Sequence, residues 1–164
     1  VSDNTLLSAL ELDTPLEASI DWSYRHRHMR MHTCLHLLCS LIPFPVTGGS
    51  LNQEKGRLDF DMTEGVDKEA ISNDLNALIK RASNVQHQWI SDEEMRDNMD
   101  LVRTMSVTPP MGQGQVRLIS IEDIDLQPCG GTHVANTEEI GGVRVGKVEK
   151  KGKHNRRINI HLLD

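Results

Sequence analysis

The sequence predicts an α+β protein whose helices pack on one side of a mainly antiparallel sheet. Three observations lead there. KGRLDFDM alternates, with Leu58, Phe60 and Met62 on one face and Arg57, Asp59 and Asp61 on the other, the period of a half-buried strand. Two stretches, one from Trp22 to Ile42 and one starting near Asp67, repeat apolar residues at helical spacing. Near the end, VRVGKVEK and RRINIHLL flank the turn KKGKHN as a hairpin. At 164 residues the chain can bury a core of its own.

In order, residues 1–20 show little pattern beyond LLSALEL and a turn at Pro15. Asp21 is placed to cap the first helix, which must stop by Leu41 or Ile42 because Pro43 and Pro45 follow. VTGGSL reads as a turn loosened by Gly48 and Gly49, ahead of the GRLDFDM strand. The second helix carries Ile71, Leu75, Leu78, Ile79 and Ala82 on one stripe. VQHQWI reads as a strand. Ser91 and Glu94 form a capping box for a short third helix with Met95, Met99 and Val102 inward. TPPMGQG is a loop, Val116 to Ile121 a strand, PCGGTHV a glycine-rich loop, and Gly141 and Gly142 precede the closing hairpin.

Composition excludes several classes. No stretch approaches the roughly 20 apolar residues of a membrane helix, and the first residues lack the basic and apolar regions of a signal peptide. Three cysteines do not form a disulfide framework, so a reducing, cytoplasmic setting is expected. Cys34 and Cys39 read as small core residues. The formal charge of −6 is uneven. Residues 144–157 hold seven Lys or Arg against the single acid Glu149, a net +6 that leaves −12 on the rest. A basic strip on an acidic body suits one local grip on a phosphate backbone; a solvated hairpin tip is the plain alternative.

The chemistry lies in two spaced pairs. His32 and His36 are four apart on the first helix, hence on one face. Cys129 and His133 are four apart in the glycine-rich loop. Zinc takes four ligands and favours nitrogen and sulfur, so His32, His36, Cys129 and His133 can form one zinc site between a core helix and a Gly-rich loop. With four protein ligands such a site is closed and structural; with three it keeps a place for water. A core helix and glycine loop differ from the paired knuckles of structural sites, and the N–H groups of Gly130, Gly131 and Thr132 could serve an oxyanion. No glutamate follows His32 as in HExxH, which argues against peptidase chemistry.

RMHTCLHLL, TGG, GRLDFDM and PCGGTHV followed by EIGGVRVGKVEKKGKHNRRI resemble the AlaX family, free-standing relatives of the alanyl-tRNA synthetase editing domain and of the matching threonyl-tRNA synthetase domain. The likeness runs from about Trp22 to Leu162. It implies an editing (deacylase) domain at 22–164, with 1–21 the remnant or C-terminal edge of an N-terminal barrel region. It implies zinc-dependent hydrolysis of the ester of mischarged tRNA, Ser-tRNA(Ala) and then Gly-tRNA(Ala), with His32, His36, Cys129 and His133 binding the metal and acting through it. Thr47 stands where the family contacts the serine hydroxyl, and Gly131 and Thr132 fall in the aminoacyl pocket. Arg144, Lys147, Lys151, Arg156 and Arg157 would hold the tRNA acceptor end. Without the barrel's own glycine-rich motif, selection of the alanine tRNA is in question, because phosphate contacts carry no sequence information. Two alternatives remain. One is an excised domain of a whole alanyl-tRNA synthetase, opposed by an end directly after the last strand. The other is a nucleic-acid-binding module with a structural zinc.

Overall fold

The computed structural model describes residues 13–105, 109 and 111–163. The LLSALEL stretch and part of the TPPMGQG loop lie outside these. The fold is α+β with wholly antiparallel strand pairing, but the strands divide into two sheets rather than one. A four-stranded sheet has the order β1-β2-β7-β6, with β1 Val46–Leu51, β2 Gly56–Asp61, β6 Val143–Lys150 and β7 Asn155–Leu162. A three-stranded sheet runs β3-β4-β5, with β3 Val85–Ser91, β4 Gln115–Ile121 and β5 Asp125–Pro128. Outside both sheets, the 103–105 segment makes an isolated parallel bridge to β1, where Val46 N–H donates to Arg103 C=O at 2.9 Å and Met105 N–H to Val46 C=O at 2.8 Å.

Two strands are not legible as such in the sequence. VTGGSL is β1 itself, not a turn. Its glycines allow close approach: a Cβ on Gly49 would come 2.9 Å from Leu58 Cδ2 on β2. β5 is only four residues long, ends in Pro128 and delivers Cys129 directly from its last position.

Helix α1, Trp22–Leu41, starts at Asp21, whose carboxylate accepts from Tyr24 N–H at 3.0 Å. Ile42 is already extended, as the residue before a proline prefers. From Met31 to Cys39 only His32 is not fully buried. The cause is the packing. α1 touches β1 and β2 of one sheet, β5 of the other, the helix α2 (Lys68–Lys80) and a 3-10 turn at Thr137–Ile140. A helix with neighbours all round must be apolar all round. Its Met31, Leu37 and Leu38 join Phe60, Ile158 and Ile160 in the main core.

α2 buries Leu75 and Ile79, as its stripe requires; Ala82 lies beyond its end at φ 52°. The capping box at Ser91 and Glu94 opens α3, Asp92–Asp97, and Met95 is buried in a second small cluster with Val116 and Leu118. Met99 is not inward. The helix ends at Asp97, a 3-10 turn follows, and Met99 is 47% exposed.

Candidate metal centre

The two pairs, far apart in sequence, meet in the fold. His32 and His36, on successive turns of α1, face the loop that leaves β5. The candidate donor atoms of His32, His36, Cys129 and His133 all lie within 4.8 Å of one another. Cys129 Sγ is 3.4 Å from His133 Nε2 and 3.6 Å from His32 Nε2. The rings of His32 and His133 stack at 4.3 Å, and that of His36 meets His133 edge-on at 4.5 Å. Three imidazoles and a sulfur can hold a divalent ion, and the set matches what zinc prefers.

The surroundings fix how these groups present themselves. Asp125, whose side chain is wholly buried, lies 3.1 Å from His36 Nδ1. A carboxylate only accepts, so Nδ1 carries the hydrogen and Nε2 keeps its lone pair for a metal. Gln127 Nε2 donates to the same oxygen at 2.7 Å and holds the carboxylate in place. Thr33 does the equivalent for His133. Its hydroxyl donates to Met29 C=O at 3.0 Å, so at 3.1 Å it accepts from His133 Nδ1. This again leaves Nε2 toward the sulfur. Both tautomers are assigned from the hydrogen-bond network.

Burial opposes ionisation of Cys129, but the polar contacts with His133, His32 and His36 outweigh it and hold its pKa well down, to about 3, which favours the thiolate. For His133, burial dominates and lowers its pKa to about 4, which keeps the ring neutral. His36 is drawn down by burial and up by Asp125 and Cys129, with a net rise. Cys34 and Cys39, by contrast, are pushed up to about 12 by burial and stay inert thiols.

The glycine pair does two different jobs. A Cβ on Gly131 would lie 2.2 Å from His32 Cε1, so the ring rests directly on this backbone. The Gly131 N–H points at Cys129 Sγ at 3.4 Å, which takes it out of the oxyanion role expected for it. Gly130 has open space around it and lines a cavity. Arg117 on β4 pins the loop, donating to Gly131 C=O at 2.7 Å and Cys129 C=O at 3.1 Å.

That cavity, about 370 Å³, has His32, His36 and Cys129 on its wall. Leu35, Leu51 and Leu58 make it apolar, while Ser50, Thr104 and Gln127 add polar groups. Thr47 precedes the lining stretch of β1 but is not itself on the wall. Its hydroxyl donates to Asp59 C=O at 3.1 Å and accepts from Asn155 at 2.9 Å. Thr132 is exposed and lies outside the wall too.

The basic hairpin forms as β6–β7, yet its arginines are largely engaged inside the protein. Arg156 is buried and donates to Asn155 C=O and Thr63 C=O. Arg157 makes a two-pronged pair with Asp59, at 2.8 Å on each oxygen. Lys147 and Lys151 both reach Glu149, at 2.8 and 3.5 Å. Arg144 is exposed.

Sequence reasoning misses Asp125, Thr33 and Arg117. For Asp125 a signal exists, since Asp125, Gln127 and Cys129 alternate and so share one face of a strand. Thr33 and Arg117 give none, because their partners are 100 and 14 residues away.

A core-helix histidine pair closed by a Cys-Gly-Gly-Thr-His loop, beside an open cavity, makes a candidate metal centre, and sequence similarity ties the domain that carries it to aminoacyl-tRNA synthetases. Residues 116–159 match the family model "Threonyl and Alanyl tRNA synthetase second additional domain". The chain is 34% identical to the alanyl-tRNA editing protein AlaX-M of Methanosarcina barkeri over 100% of its own length and 70% of that protein. It is 33% identical to AlaX-M of Methanosarcina acetivorans over 99% of itself and 69% of that protein. With the alanine–tRNA ligase of Streptococcus thermophilus it shares 38% identity over 85% of itself but 16% of the ligase. The chain belongs to the AlaX-type alanyl-tRNA editing proteins.

Proposed function

We propose that the chain is an ATP-independent deacylase acting on mischarged tRNA. It removes serine from the alanine tRNA foremost and glycine second, in the service of translation fidelity in the cytoplasm. The observation that carries this reading is the cavity: three of the four candidate metal donors are on its wall, where an aminoacyl group can reach them. His32, His36, Cys129 and His133 would hold zinc, which would polarise an ester carbonyl and, with one donor released or a fifth position open, bring the pKa of a water to about 7.

The chain's own residues do the rest. Asp125 and Thr33 orient two of the imidazoles, and Gly131 seats the third ring while its N–H supports the thiolate. The oxyanion contact falls to Gly130, on the cavity wall, because the Gly131 N–H is engaged by sulfur. The apolar wall excludes water from the ester except at the reacting position. Serine is told from alanine by a hydroxyl reader on β1, Thr47 by position with Ser50 on the wall. A site built to bond a hydroxyl rejects a substrate lacking it, by as much as roughly 10⁴–10⁵. The acceptor end of the tRNA is the macromolecular partner, with Arg144, Lys147 and Lys151 as outer phosphate contacts. Among the described residues no helix is long and apolar enough to cross a membrane.

Incubation with serylated and alanylated alanine tRNA tests this. Serine should be released and alanine kept, with release abolished by chelator, by Cys129→Ala and by His36→Ala. Equal hydrolysis of both esters, or of neither, overturns the reading. The four-donor set also fits a structural ion, the second reading. In that case chelation unfolds the protein, whereas a catalytic centre loses activity with only a modest fall in melting temperature.

A further inference from the structure

The metal cluster stands between two cavities, and only one of them is the aminoacyl pocket. The second, about 320 Å³, lies on the other side of His133. Its walls are the first half of α1 (Trp22, His26, Met29) and one face of β3–β4 (Val85, His87, Arg117 and Ile119). Trp22 is 63% exposed. On the same sheet face Trp89, 56% exposed, is the direct cross-strand partner of Arg117. Large aromatic rings left in water on both sides of a groove call for a partner.

The chemistry of the groove narrows the choice. Its rings are held flat and in place. Trp22 stacks on His26 at 5.8 Å with 17° between the planes, and His26 Nε2 is fixed on Glu139 at 3.1 Å. Glu139 is occupied further by the N–H groups of Ala135 and Asn136. Arg117 brings a permanent positive charge. Aromatic faces interleaved with cations and imidazoles match the way proteins hold unpaired nucleotides, where each base stacks on a ring. The groove borders the centre, because His133 is both on its wall and one of the four donors. A strand lying in it ends beside the metal donors.

Resting on the deacylase reading, we infer that this groove, lined by Trp22, His26, His87 and Arg117 and bordered by Trp89, binds the unpaired 3′ end of the tRNA. The β6–β7 hairpin, whose Arg156 and Arg157 are turned to internal partners, does not supply the main grip.

The chain has only two tryptophans, and both are at this groove, so its intrinsic emission reports on it directly. The experiment titrates the full chain with a short uncharged single-stranded RNA ending in CCA, and in parallel with a blunt-ended RNA hairpin. Saturable quenching by the single strand and weak binding of the blunt hairpin are expected. Trp22→Ala and Trp89→Ala should each weaken binding about tenfold, and the Phe variants should restore most of it. Both side chains are exposed, so melting curves of the variants should match the parent. No quenching, equal binding of the blunt hairpin, or Ala variants that bind as the parent does would each overturn the inference. So would an emission shift that follows protein concentration without RNA, which assigns the groove to a second copy. Because the probe carries no ester, quenching by RNA in a protein that fails to deacylate upholds the groove and removes the deacylase. Unchanged KM for charged tRNA in the double Ala variant removes the groove alone.

Discussion

The metal centre and the β6–β7 hairpin are both built from residues that stand out in the sequence, and they fare differently in the fold. At the centre, all four expected donors converge within 4.8 Å. In the hairpin, most of the cations expected to face an RNA bond to the protein instead: Arg156 to two carbonyls, Arg157 to Asp59, Lys147 and Lys151 to Glu149. The difference lies in the kind of signal. A four-residue spacing on a helix fixes relative position whatever surrounds it. A count of charges fixes nothing about direction. The parity of β7 holds the missing information, since Arg156 alternates with Ile158 and Ile160 and so points with them into the body of the protein, opposite Phe60.

The sharpest way to break the centre is at Gly131. Adding one methyl places a carbon 2.2 Å from His32 Cε1, against backbone that Arg117 holds from behind. His32 must swing away or the loop must lift. Gly131→Ala should therefore lose zinc affinity by more than about 100-fold, with deacylation lost alongside it, since each tenfold step corresponds to about 1.4 kcal/mol. Competition with a chromogenic chelator measures the first and the ester assay the second. A variant that binds zinc as the parent does would show that His32 is not a ligand.

Asp125→Asn comes next. His36 Nδ1–H and Gln127 Nε2–H meet the same Asp125 oxygen, so asparagine keeps them only as weaker bonds to a neutral amide oxygen and loses both if its NH₂ takes that place. Loss of such an outer partner costs about 10–100-fold in metal affinity. The same chelator competition reads it, and Asp125→Glu should not rescue in so tight a site.

How much of this is readable from the sequence follows from the reach of each interaction. The helix limits at Asp21 and Pro43, the capping box at Ser91 and the hairpin are set by neighbours in sequence, and they are legible. β1 is not, because the glycines of VTGGSL serve contact with Leu58 across the sheet rather than a turn. The division into two sheets is hidden for the same reason, as it depends on which strands find each other around α1. The donors of the centre are visible; the residues that orient them, Thr33 and Asp125, act across 100 and 89 residues and are not.

On the hairpin side, Asp59 tests whether the arginines are structural. Its bond to Arg157 holds the carboxyl below the ordinary value, against some opposing burial, with Arg57 adding to the effect. A carboxylate whose pKa is depressed by folding stabilises the fold above its unfolded pKa, about 3.9, and loses that contribution as pH falls through the folded value. Asp59→Asn should accordingly melt about 2–4 °C lower at pH 7, a pair of this exposure being worth about 1 kcal/mol or less. The gap should close in acid, where the parent's own carboxyl is protonated. A gap that persists unchanged in strong acid would mean the loss is one of packing, not of charge.

The smallest effect should come from the lysines at the hairpin tip. Lys150 and Lys153 are exposed, and the turn around Gly152 (φ 95°) holds them out from the body of the sheet. Beside Lys147 and Lys151, which Glu149 partly engages, these two are further outer contacts for phosphate and act as point charges. Lys150→Ala with Lys153→Ala should then raise KM for charged tRNA about two- to threefold, leave kcat alone, and reduce the salt slope of binding by about one unit for each phosphate no longer neutralised. Arg156→Ala makes the informative contrast, because that guanidinium is buried with carbonyl partners. It should lower the melting temperature and leave the salt slope of the folded protein untouched. If instead Arg156→Ala flattens the salt slope while the lysine pair does nothing, the hairpin must turn its arginines outward on meeting RNA, and the contrast between a fixed centre and an inward-facing hairpin would hold only for the free protein.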